Sequence, residues 1–205
     1  MNILALCSAL NNSYFAFKKD DDFYFEIIKS DENYHSLYLI QNIKNALENK
    51  KLSFDDFDAF AVNCGPGSFT GIRVALTVAK IMAGELNKPL IPLNTAEILL
   101  KAYDYDILIM DARRDMYFKC DKNNIELIKK DILKEKINDF KDKKNLCDKR
   151  SLDIFKNAFC YEDGDKDLGK IMLELAEEKY LNTKDKDEFN YIKVKANYIQ
   201  TPPVF

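Results

Sequence analysis

The chain has 205 residues, enough for one large domain or two small ones, and its 47% hydrophobic and 32% charged content is a globular balance that excludes disorder, collagen and repeat arrays. Thirty-one basic against thirty-four acidic side chains leave a net charge of −3, so no global positive field recruits a polyanion and any RNA contact must be local. No apolar run approaches the roughly 18 residues of a membrane span and no basic region precedes the short apolar stretch 3–6, so neither span nor signal peptide is expected and the cytoplasm is the expected compartment.

Residues 3–8 form a short β-prone run, Asn11-Asn12 is a hairpin turn signal, and 13–18 and 23–28 alternate apolar and polar residues around a turn at 19–22. Three antiparallel strands are predicted. Asp31 or Asn33 then caps a helix over about 34–49, with Leu39, Ile43, Ala46 and Leu47 on one face. A strand at 58–63, a glycine-rich turn, a long helix to about Leu86, a strand at 90–93 and a helix at 95–103 complete a β-β-β-α-β-α order. After Asp104 the order begins again: strands near 107–110, 116–120 and 125–128, a charged helix over 131–140, a strand at 145–147 and a helix over about 166–179. A hairpin-led mixed sheet flanked by helices and built twice predicts two α/β subdomains, divided as 1–103 and 104–205.

Five scattered cysteines (Cys7, Cys64, Cys120, Cys147, Cys160) lack C-x-x-C spacing and read as reduced core thiols. His35 is the single histidine, which excludes zinc sites built on two or three histidines; no metal site is expected. Among thirty-one basic residues only Arg73, Arg113, Arg114 and Arg150 are arginine. In so lysine-rich a chain an arginine marks a place that needs a planar, forked donor. Residues 129–150 hold nine basic and five acidic residues, a solvated face or a tRNA-facing patch.

The segment from Cys64 to Arg73, Cys-Gly-Pro-Gly-Ser-Phe-Thr-Gly-Ile-Arg, joins a strand to a helix, with Ser68 or Thr70 placed to cap the first turn. Gly65, Gly67 and Gly71 bring backbone close to something. That is either an anion held by Gly65, Gly67, Ser68, Phe69, Thr70, Gly71 and Arg73, or a tight structural turn; the spacing fits neither a Walker A loop nor G-x-G-x-x-G. On the helix, polar positions cluster at about 80–140° from Ile72 while apolar residues run from about 180° through zero to about 40°. That arc is too wide for one sheet face, and Ala75, Ala79 and Ala83 form a small-residue seam. Either the helix is sandwiched inside its own subunit, or it forms a subunit interface.

Gly65 to Arg73 resembles the G-P-G-S-F-T-G-[LIV]-R signature of the TsaB (YeaZ) family, the non-catalytic partner in tRNA threonylcarbamoyladenosine (t6A) synthesis. Residues 3–10 are similar to its I-L-A-I-D-T-S-T strand, His35-Ser36-Leu37 to its H-S-x-x-L-L-P helix, and 109–117 (Ile-Met-Asp-Ala-Arg-Arg-Asp-Met-Tyr) to its I-D-A-R-x-G-E-V-Y turn. The resemblance implies an actin-like, sugar-kinase and Hsp70-type (ASKHA) fold of two duplicated RNase H-like subdomains. It also implies a dimer surface made by helices 34–49 and 68–86, to which His35, Leu39, Ile43, Ile72, Ala75, Ala79, Met82 and Ala83 are assigned. The implied partners are the paralogous catalytic subunit TsaD, the ATPase TsaE, and tRNA through the complex. No intrinsic cofactor is implied; ATP or ADP at the subunit boundary, and a homodimer of the free chain, are left open.

Phosphotransferases of this fold hold their metal with an aspartate at the end of the first strand, where this chain has Cys7. A TsaD-type metal site needs H-x-x-x-H, and here His35 is followed by Leu39. The expectation is therefore an accessory subunit, not an enzyme. The alternative is an independent ASKHA phosphotransferase or ATPase, with a glycopeptidase a distant third. Asp111, Arg113 and Arg114 are assigned to the lobe junction, Asp111 pairing with Arg113 or Arg73, or else the two arginines are offered to a partner carboxylate or a tRNA phosphate.

Overall fold

The computed structural model describes residues 1–29, 38–164 and 166–197. In chain order the strands are β1 (Ile3–Cys7), β2 (Ser13–Lys19), β3 (Asp22–Ile28), β4 (Ala59–Asn63), β5 (Leu90–Leu93), β6 (Ile107–Asp111), β7 (Met116–Cys120), β8 (Ile125–Lys129), β9 (Asn145–Cys147) and β10 (Phe159–Cys160). The helices are α1 (Leu39–Asn49), α2 (Phe69–Glu85), α3 (Thr95–Tyr103), α4 (Lys130–Glu135) and α5 (Leu168–Asn182). They form two compact units, the first from residues 1–95 and 167–197, the second, in its described part, from 96–166.

In the first unit the strand order is β3-β2-β1-β4-β5, antiparallel through β1–β3 and parallel from β1 to β4 and β5. Register sorts its two faces by size. Leu4 and Leu6 lie beside Phe17 and Phe15 on one side and beside Phe60 and Val62 on the other, making a face of large side chains. Buried residues of α1 and α2 share one apolar cluster with that face. Ala5 lies between Ala16 and Ala61, making an opposite face of small ones. On it α5 descends so closely that a Cβ on Gly169 would stand 2.3 Å from the Phe25 ring and 2.8 Å from Ala16 Cβ. Glu177 of α5 pairs with the Met1 amino group at 3.2 Å and with Lys18 at 3.3 Å, fixing the first strand and the hairpin beneath it.

After α5 the chain returns across the first unit. Phe189 stacks on Tyr180, the Tyr191 ring lies against Gly84 of α2, Val194 is buried in the cluster shared by α1 and α2, and the Asn197 amide donates to the Cys64 carbonyl at 2.8 Å. The contacts therefore divide the chain differently from a single cut between 103 and 104. The last helix and the segment after it belong with the first sheet.

The second unit repeats the topology position by position. Its order is β8-β7-β6-β9-β10, antiparallel through β6–β8 and parallel through β6, β9 and β10. Ile107, Ile109, Tyr117, Ile128, Leu133, Phe140, Cys147 and Phe155 form its core. The α/β, twice-built ASKHA-type architecture expected from the sequence is what the chain adopts.

Boundaries differ in three places. The helix predicted over 34–49 is described from Leu39 onward, and His35, Asp31 and Asn33 lie outside the described residues. The predicted helix 131–140 stops at Glu135 and continues as a 3-10 turn over Lys136–Phe140. The strand β10 was not expected, because two residues carry no alternation to detect. No helix among the described residues is long and apolar enough to cross a membrane.

Candidate functional site: the glycine loop and the surfaces around it

The turn between β4 and α2 is pressed directly onto the turn between β1 and β2. Gly65 and Gly67 adopt φ of +103° and +152°, in the region that favours glycine. A Cβ on Gly67 would lie 2.2 Å from the Ala9 carbonyl oxygen, and one on Gly71 1.7 Å from that of Ser8. Three of the loop amides are bonded within the protein: Ser68 N–H donates to Ala9 O at 2.8 Å, Gly65 N–H to Asn63 Oδ1 at 3.0 Å, and Gly71 N–H to Ser68 Oγ at 3.2 Å, the last being the helix cap. The Gly65 carbonyl accepts from the Thr95 amide at 3.0 Å. These contacts have the form of a tight structural turn. Arg73 stands outside it, its guanidinium 5.3 Å from the Phe69 ring centroid.

Beneath the loop is a small buried polar cluster at the ends of β1 and β4. Asn63 Nδ2 donates to Cys7 Sγ at 3.3 Å and to Thr95 Oγ1 at 3.0 Å, and the Thr95 hydroxyl donates to Pro66 O at 2.5 Å. Burial pushes the Cys7 thiol up, against a smaller opposing effect of its hydrogen bond from Asn63. Cys7, at the end of β1, is thus a buried thiol at the position where the family resemblance implies an aspartate. Among the described residues no group of three or more His, Cys, Asp or Glu is placed to hold a metal ion.

The residues assigned from the sequence to a subunit interface need correction. Leu39, Ile43, Ile72, Ala75, Ala79, Met82 and Ala83 are all buried within this chain, and His35 lies outside the described residues. The alanine seam packs α2 onto the sheet, in a cluster that also holds residues of α1 and Val194 of the returning segment, so the seam is covered within this chain. The over-wide apolar arc is nonetheless real. Its core part, from about 280° through zero to about 40°, is inside; its outer part, at about 180–240°, carries Val74, Val78 and Ile81 at i, i+4, i+7 and then the exposed Glu85, which ends the stripe one turn beyond Ile81. Val74 and Val78 are half-buried and Ile81 is 59% exposed. On α1 and its cap, Ile40 is 46% and Tyr38 58% exposed.

In the second unit the sequence-assigned Asp111, Arg113 and Arg114 sit at the β6–β7 turn. Asp111 Oδ1 accepts from the Arg113 amide at 2.9 Å, and Oδ2 lies 3.7 Å from Arg113 and 3.4 Å from Arg150. Of the two pairings expected for Asp111, the one with Arg113 is present, and Arg150 is a partner the sequence did not pair with it. Its signal was there, as the fourth arginine in a lysine-rich chain. Asp148, also not singled out, is buried; its carboxylate accepts from the Asp111 and Ser151 amides at 2.8 and 2.9 Å. Burial pushes the Asp148 carboxyl up, and the Ser151 and backbone hydrogen bonds pull the other way. The basic run 129–150 does not stay together: Lys129, Lys130 and Lys134 line one groove, Lys143 lines another, and Lys144 pairs with Asp104.

The family model of TsaD, tRNA N6-adenosine threonylcarbamoyltransferase, matches residues 26–158. The tRNA threonylcarbamoyladenosine biosynthesis protein TsaB of Buchnera aphidicola subsp. Acyrthosiphon pisum is 24% identical over 189 residues, covering 80% of this chain and 82% of that one. The chain belongs to the TsaB (YeaZ) branch of this family. The TsaB protein of Buchnera aphidicola subsp. Baizongia pistaciae is 38% identical over 76 residues, 37% of this chain and 34% of its own length. The solved structure of YeaZ from Pseudomonas aeruginosa superposes with a TM-score of 0.50 at 22% identity, over 62% of this chain and 64% of that one, a likeness of fold. The match thus spans about a third of one TsaB relative and most of another. Of the four segments that resemble the family, the structure describes residues 3–10, the glycine loop and the Asp111 turn.

Proposed function

We propose that this TsaB-family chain serves t6A synthesis as a non-catalytic subunit that docks a TsaD-type catalytic partner through the outer flank of α2. The observation that carries the reading is the Val74–Val78–Ile81 stripe, apolar and partly uncovered on a helix whose opposite side is fully packed. Ile40 and Tyr38 of the neighbouring helix add apolar area of the same kind. The family resemblance adds a TsaE-type ATPase and the tRNA substrate to the assembly. The absence of chemistry in this chain is supported by two features: a buried thiol where the resemblance implies a metal-holding aspartate, and the Gly65, Ser68 and Gly71 amides bonded within the protein.

Co-purification with the TsaD-type subunit of the same cell tests the docking. Ile81→Asp and Val78→Asp are expected to abolish it, since each would desolvate a carboxylate in the contact. Undiminished co-purification and unchanged t6A levels with both variants overturn the assignment. ATP turnover by the isolated chain would overturn the non-catalytic part and favour an independent phosphotransferase or ATPase.

A further inference from the structure

Four basic side chains, separated in sequence, meet at one open groove of the second unit. Arg114 comes from the β6–β7 turn, Lys129 from the end of β8, and Lys130 and Lys134 from α4; Asp115, Met116 and Asp131 complete a lining around about 440 Å³. One of the cations is held in place: Lys130 Nζ lies 3.7 Å from the Asp115 carboxylate, and its amide donates to Asp115 O at 2.8 Å. The other three, Arg114, Lys129 and Lys134, have no ion-pair partner among the described residues. Arg114 is also presented rigidly. Arg113, Arg114 and Asp115 all adopt left-handed backbone, with φ of 67°, 53° and 55°, a conformation that costs roughly 1 kcal/mol for each residue bearing a side chain. The turn is kept there by the Asp111 carboxylate on the Arg113 amide and by hydrogen bonds in both directions between its ends, Ala112 N to Met116 O and Met116 N to Arg113 O. The hydrogen-bonded turn fixes the backbone of Arg114 at the groove, and its side chain is among the lining.

The geometry points to a direct RNA-backbone contact on this chain, in which Arg114, Lys129 and Lys134 each neutralise a phosphodiester. Arginine gives the forked contact and lysines give point charges, the combination that positions a phosphate backbone without reading bases. An acidic protein partner is disfavoured because no aromatic anchor lines the groove. With a net charge of −3 the chain has no global attraction for a polyanion, so any contact depends on a local cluster such as this one. The identity of the RNA as tRNA rests on the function proposed above; the contact itself does not.

The test is fluorescence anisotropy of the full chain, alone, with an unmodified tRNA transcript. For three phosphate contacts the affinity should fall about 20- to 40-fold between 50 and 200 mM salt. Arg114→Glu/Lys134→Glu should weaken binding at least about tenfold and reduce the log–log salt slope by about 2, whereas Lys122→Glu/Lys143→Glu, the same charge change in the other groove, should cost less than about twofold. All four positions are exposed, and matching melting curves establish that the variants fold. Equal losses from the two double variants, salt-independent binding, no binding by the parent chain, or tight binding of poly-L-glutamate in place of RNA would each overturn the proposal. Co-purification with the TsaD-type subunit is read separately, so a parent chain that docks the subunit but binds no RNA overturns only this contact, and one that binds RNA but does not co-purify overturns only the docking.

Discussion

A Cβ placed on Gly71 would lie 1.7 Å from the carbonyl oxygen of Ser8, so the start of α2 and the end of the first strand touch backbone to backbone. No rotamer change relieves such a contact, because neither atom belongs to a flexible side chain. Gly71→Ala is expected to cost about 3 kcal/mol in urea unfolding, as the helix start is driven away from the β1–β2 turn. A variant within about 0.5 kcal/mol of the parent would show that the loop is not seated there.

The segment after α5 supplies the lid on the first unit's core. Val194→Ala removes buried apolar surface from the cluster shared by α1 and α2, and should destabilise the chain by about 2 kcal/mol. Cutting the chain after Asn190 should lower the melting temperature further and increase dye binding by exposed apolar surface. A chain that melts unchanged without this segment would contradict the packing.

Two substitutions on α2, one on each side of the helix, should behave oppositely. Ala79→Arg forces a charge into a fully buried seam and is expected to unfold the chain, costing more than about 4 kcal/mol. Ile81→Asp, at a site 59% exposed, should leave the melting temperature within a few degrees of the parent while removing the partner. Thermal melts of the two proteins check this before any binding experiment.

All five thiols are buried, and burial pushes every one of them up, Cys64, Cys120 and Cys147 to about 12. At pH 8 a disulfide reagent should find fewer than one reactive thiol in the folded chain and five after denaturation. Because the folded state keeps protons that the unfolded chain releases from its ordinary value of 9.0, stability should be fully present below that pH and fall as pH rises toward about 12. Stability that rises across this alkaline window would reverse the sign and refute the burial of the thiols.

Much of this architecture was legible because it is written in short-range periodicity. The strands at Leu90–Leu93 and Met116–Cys120, the helix Thr95–Tyr103 and the cap by Ser68 on Gly71 follow from alternation, turn residues and one hydroxyl. The site was less legible. Ala75, Ala79 and Ala83 announce a close approach, but a run of small residues does not say whose backbone approaches. The answer is the sheet beneath it, with Val194, from a segment more than a hundred residues away, buried in the same cluster. Arg150 was visible as a rare residue, while its contact with Asp111 depended on β6 and β9 pairing side by side.

The amino-acid order alone determined the twice-repeated β-β-β-α-β plan, the glycine turn, the width of the apolar arc on α2 and the absence of an aspartate at Cys7, since each is a property of neighbours along the chain. Only the folded chain decided which part of that arc is sealed and which faces outward, that the Gly65, Ser68 and Gly71 amides bond within the protein, and that Arg114 meets Lys129 and Lys134 in one groove. Those outcomes depend on which distant segments win the competition for the same apolar surface and the same hydrogen-bonding groups, and nothing local in the chain encodes the winner.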